Sequence, residues 1–101
     1  MILEKLVEIL PDMDFCGVDE NVFKFYGTYE EDFSYTFTIS TLAKGKYLVV
    51  INLYTNTHFP VREFRVRVDN LESISKLSET VLNNCMKLSK MMDNLVEAHG
   101  E

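Results

Sequence analysis

Between residues 33 and 40 the chain reads FSYTFTIS, with an apolar or aromatic side chain at every odd position and Ser or Thr at every even one. Strict alternation over this length predicts a half-buried strand of an antiparallel sheet, covered on one face only. The run KYLVVINLYT at 46–55 departs from that pattern. Tyr47, Val49, Ile51 and Leu53 make one apolar set, and Leu48, Val50 and Tyr54 make the opposite set apolar too, apart from Asn52. VFKFYG at 22–27 alternates Phe23 and Phe25 with Val22, Lys24 and Tyr26, and REFRVRV at 62–68 sets Phe64, Val66 and Val68 against Glu63, Arg65 and Arg67. The stretches between these four strands are an acidic turn TYEED, an AKGK turn containing Gly45, and a polar TNTHFP loop closed by Pro60.

At both ends the period lengthens to that of a helix. Ile2, Leu3, Leu6, Val7, Ile9 and Leu10 recur at helical spacing until Pro11, and residues 12–21, rich in Asp, Gly and Asn, read as a connection. From Leu71 onward Leu71, Ile74, Leu77, Val81, Cys85, Leu88, Met92 and Leu95 advance by threes and fours, widened by Leu82, Met86 and Val96. Asp69 with Glu72 has the spacing of a capping box, and the helix can run to about His99 before Gly100. Such a helix would be roughly 40 Å long against about 26 Å for an eight-residue strand, so it overhangs the sheet or is covered by another chain.

The order helix, four strands, helix, with short links, predicts a single α+β domain over residues 1–101. Its architecture is two-layered: a four-stranded antiparallel meander with the short N-terminal and long C-terminal helices on one face. The helices would cover Tyr47, Val49, Ile51 and Leu53. The open face would then carry Leu48, Val50 and Tyr54 beside Ser34, Thr36, Thr38 and Ser40, with Arg65 and Arg67 on the next strand. An apolar centre with a polar, arginine-bearing rim has the anatomy of an interface, and either a second copy or a different protein would satisfy it. A few exposed aliphatic side chains chosen for strand propensity are the plainer explanation.

Charge narrows the partner. The formal net charge is -6. It is uneven: residues 1–40 hold nine acidic groups against two lysines, net -7, and the remainder hold seven against eight basic groups, net +1. A basic protein surface suits this better than a phosphate backbone, although ordinary solubility accounts for a charge of this size equally well and is the first explanation. Glu30, Glu31 and Asp32 in the acidic turn are candidate contacts at the edge of the open face, although a solvated hairpin turn reads the same way.

Catalytic signals are weak. His58 falls in a loop and His99 near a helix end, and neither has local company from Cys16 or Cys85. Cys85 lies in the helix stripe and reads as a structural thiol. The cysteine spacing fits no zinc motif, the acidic groups of residues 12–20 lack the register of a calcium loop, and neither phosphate-binding glycine pattern occurs. No cofactor or metal is implied. No run reaches membrane-spanning length, and a cytoplasmic protein with reduced thiols is the expectation, a disulfide between the two cysteines being the other possibility.

The opening LVEILPDMDFCGVDENVFKF and the closing VRVDNLESISKLSETVLNNCMKLSKMMDNL resemble the start and end of type III secretion chaperones, which are small acidic dimers of helices on a twisted sheet. The middle helix which that family uses to dimerise has no counterpart between the third and fourth strands, and no function is carried over. Small acidic immunity proteins and phage-encoded inhibitors share the size and charge as a class.

The resulting expectation is a non-enzymatic, acidic interaction protein, homodimeric, of inhibitor, antitoxin, immunity or chaperone type. Its contacts are expected through Leu48, Val50, Tyr54, Arg65 and Arg67, with Glu30, Glu31 and Asp32 at the edge. The alternatives are a single-stranded nucleic-acid module using Arg62, Arg65 and Arg67 with Tyr54, Tyr26 and the threonines of the sheet, or a small enzyme with a reactive Cys16.

Overall fold

The computed structural model of the chain describes the backbone of residues 2–99 and the side chains of residues 2–43 and 45–91. The elements are α1 (Ile2–Ile9), β1 (Asp14–Asp19), β2 (Val22–Tyr29), β3 (Phe33–Thr41), β4 (Tyr47–Thr55), β5 (Pro60–Val68) and α2 (Leu71–His99), with a single 3₁₀ turn at Ala43–Gly45. The strands form one antiparallel meander in the order β1-β2-β3-β4-β5.

Five strands are present where the hydrophobic pattern predicts four. The additional strand, β1, comes from the stretch read as a connection. Its sequence DFCGVD has no buried face, and an extra residue, Cys16, interrupts its pairing with β2 between Phe15 and Gly17. Periodicity reports burial, so a strand that buries almost nothing leaves no period to read. A two-residue link, Glu20 and Asn21, joins it to β2, and Glu20 is held at φ 55°, a conformation more often given to Gly or Asn.

The core lies between the sheet and the two helices. Phe23, Phe25, Phe37 and Ile39 from β2 and β3 meet Val49, Ile51 and Leu53 from β4 beneath Leu6 and Leu10 of the α1 region and Ile74, Val81 and Cys85 of α2. Each fully buried aliphatic side chain contributes about 1.5–3 kcal/mol. Helix α2 begins at the Tyr47–Val68 end of the sheet, beside edge strand β5. Eighteen residues on, the Ser89 hydroxyl donates to Asp32 Oδ2 at 2.9 Å, in the β2–β3 turn at the opposite end. The helix therefore crosses the sheet diagonally, packing on α1 and touching β2 as well as β5. It continues past that turn to His99. The expected apolar positions Met92, Leu95 and Val96 and the stop at Gly100 lie outside the described side chains and residues.

The cap of α2 differs from the predicted one by a residue. Asn70 Oδ1 accepts from the backbone N–H of Ser73 at 2.9 Å and from its hydroxyl at 3.1 Å, so Asn70 is the N-cap rather than Asp69. Asn70→Ala should lower stability by about 1 kcal/mol in a thermal or urea melt, and Asp69→Ala by much less.

Candidate functional site

Pairing register fixes which side chains share the face that no helix covers. Reading across the sheet from β2 to β5, the first row is Val22, Ser40, Leu48 and Arg67, and the second is Lys24, Thr38, Val50 and Arg65. The third is Tyr26, Thr36, Asn52 and Glu63, and the fourth is Thr28, Ser34 and Tyr54. Leu48, Val50, Tyr54, Arg65 and Arg67 are thus together on the open face, opposite the buried Val49, Ile51 and Leu53.

The face is not one oily centre. The Ser and Thr column of β3 runs down its middle, with Leu48, Val50 and Tyr54 on one side and Val22 and Tyr26 on the other, two strand spacings or roughly 10 Å apart. Leu48, Val50 and Tyr54 are each half-buried by their lateral neighbours, and Ser34 is only 5% exposed. The surface is therefore a lane of hydroxyls between a largely apolar row on β4 and a mixed row on β2, where Lys24 stands between Val22 and Tyr26. Such a lane can donate and accept hydrogen bonds without carrying charge.

At the end of this face lies a hollow of about 210 Å³, shaped by Tyr26, Thr28 and Ser34 on the floor side, Glu30 and Glu31 from the β2–β3 turn, and Asn56 and His58 from the β4–β5 loop. His58 sits at φ 63° in a turn closed by its own N–H donating to the Thr55 carbonyl at 2.9 Å. Glu30 also has positive φ, at 50°. A meander brings alternate turns to the same end of a sheet, which is why two loops distant in sequence share this rim. The hollow adjoins Tyr54 through its partner Ser34.

Two of the three acidic turn residues join the hollow and one does not. Asp32 is half-buried and engaged with Ser89 of α2, so it holds the helix to the turn on the covered side. On the β5 border, Arg65 Nε pairs with Glu63 Oε2 at 3.2 Å along its own strand, both side chains being largely exposed. Exposed pairs of this kind contribute little to stability. The open face is accordingly acidic at its hollow and basic along Arg65 and Arg67.

Both cysteines are free. Cys16 is exposed on β1, its thiol donating to the Asp14 carbonyl at 3.5 Å, and it does not line the hollow that His58 borders. Cys85 is buried under the sheet, where desolvation pushes its thiol up to about 11. Among the described residues no group of three or more His, Cys, Asp or Glu side chains is placed to hold a metal ion, and no helix is long and apolar enough to cross a membrane.

No family model, curated protein or solved structure matches this chain.

Proposed function

We propose that this chain is a non-enzymatic binding protein that occupies a surface of another protein with its open sheet face, acting in the manner of an inhibitor, an antitoxin or immunity factor, or a chaperone. The observation that carries this reading is the outward row of β4: Leu48, Val50 and Tyr54 keep large apolar side chains on the face without helices, next to a column of hydroxyls. Apolar area interleaved with uncharged hydrogen-bonding groups and bordered by arginine suits a partner's backbone and side chains. Glu30 and Glu31 at the hollow favour a basic side chain of the partner there, while Arg65 and Arg67 meet acidic groups. We place the protein in the cytoplasm, where its two unpaired cysteines would stay reduced.

The test is binding of a purified partner, first isolated on the wild-type protein, by calorimetry. Val50→Glu and Tyr54→Ala should each weaken binding by about ten-fold to a hundred-fold, in line with truncation of interface anchors, while circular dichroism and melting stay unchanged. Wild-type affinity in both variants would show the face to be inert.

A further inference from the structure

The two edges of the sheet are defended unequally. β1 is six residues long, interrupted by Cys16 and flanked by Asp14 and Asp19. Shortness, a bulge and charge are the usual means by which an edge is closed to further pairing. β5 is nine residues long. Its extra residue, Val61, lies near its start, and Arg62–Val68 run in unbroken register with β4. β5 ends the strand order, so alternate N–H and C=O groups of that regular stretch point outward with no strand beside them among the described residues. Helix α2 angles away from the same edge and leaves a small apolar slot, of about 40 Å³, with Phe64, Val66, Leu77 and Val81 among its walls.

We propose that β5 pairs antiparallel with β5 of a second copy about a twofold axis at Phe64, giving one ten-stranded sheet with all four helices on the same side. Symmetry restricts the registers sharply. A twofold axis normal to the sheet keeps both pleats in phase only when a residue faces its own copy. Centring the pair on Arg62, Glu63, Arg65 or Arg67 sets a charge against itself, and centring it on Val66 faces Arg65 with Arg67. Like charges directly opposite are destabilising. Centring on Phe64 places Glu63 opposite Arg65 twice over, and Arg62 and Arg67 opposite Val66 and Val61.

In that register the pair already formed within each strand, Arg65 with Glu63 at 3.2 Å, becomes half of a four-membered ring of alternating charge around the axis. On the helix side the two Phe64 rings meet, beside the apolar slots. Aromatic pairs and opposite charges at facing positions are the favourable cross-strand combinations. Among registers with strand residues on both sides of the axis, the same arginines thus leave one open. The inference does not rest on the nature of the partner at the open face, which the dimer would extend across both copies.

Sedimentation over roughly 1 μM to 1 mM tests it with four proteins: wild type, Glu63→Arg, Arg65→Glu and the double exchange. Wild type should dimerise, each single reversal should weaken the dimer by about ten-fold or more, and the double exchange should recover most of the loss because the ring is rebuilt with its signs swapped. Both side chains are largely exposed, so folding should be unaffected in all four. A wild type that stays monomeric, single reversals without effect, or a double exchange as weak as the single ones would each overturn the pairing. Dimerisation should be indifferent to Tyr54→Ala, whose partner on β5 is Pro60 rather than a member of the ring, and this separates the result from the fate of the open face.

Discussion

Replacing Gly27 by valine is expected to cost about 3 kcal/mol or more, a large share of the 5–15 kcal/mol that typically holds a domain together. Gly27 in β2 faces Tyr35 in β3 directly, and the Tyr35 ring lies across the glycine. A Cβ at residue 27 would stand 2.5 Å from both Cε2 and Cζ of that ring and 2.7 Å from its Oη. The ring has little room to yield. Tyr35 is 1% exposed and packs edge-on against Phe37 with centroids 6.0 Å apart. Gly27→Ala should cost less, about 1–3 kcal/mol. In a Tyr35→Leu background the alanine penalty should shrink, because the smaller side chain vacates the contested volume, and the non-additivity in urea melts measures the contact. Additive losses would mean that the glycine serves the backbone rather than the ring.

Alkaline pH is expected to remove about 2–3 kcal/mol of stability between pH 9 and 11. Burial raises the Cys85 thiol from 9.0 to about 11. Between those values the unfolded chain carries a thiolate and the folded chain a thiol, so the folded state binds more protons and stability falls as pH rises. The contribution is full below pH 9 and gone above pH 11. Tyr35 shifts upward as well, chiefly through burial, and adds in the same direction. Urea midpoints measured from pH 8 to 11 should decline more steeply for wild type than for Cys85→Ala, although the variant starts lower because of the cavity it leaves. Identical slopes would show that the thiol is not the titrating group. The same burial predicts that a thiol reagent modifies exposed Cys16 in the native protein and reaches Cys85 only on unfolding.

The expected open face depended on assigning each β4 side chain to one side, and strict alternation was enough to do so. Its composition was legible too, because Ser34, Thr36, Thr38 and Ser40 could only lie opposite Phe33, Tyr35, Phe37 and Ile39. The hollow at its end was not legible. Glu30, Glu31, Asn56 and His58 meet there because of how the meander folds its turns, and their local sequence carries no mark of it. Asp32 stands beside Glu31 in the chain, yet it is bound to Ser89, a partner more than fifty residues away.

Local pattern by itself determined α1, the four strands with a buried side, the reach of α2 to His99 and the allocation of β4 to two environments, since burial imprints its period on the sequence. Tertiary structure alone decided the rest. It decided that DFCGVD is a strand, because an edge that buries nothing has only its neighbour's hydrogen bonds to define it. It decided that α2 runs diagonally from β5 to the β2–β3 turn, which depends on how whole faces pack. It also left one edge short and interrupted at its middle and the other long and regular from Arg62 onward, a contrast that exists only once the strands have been laid in order.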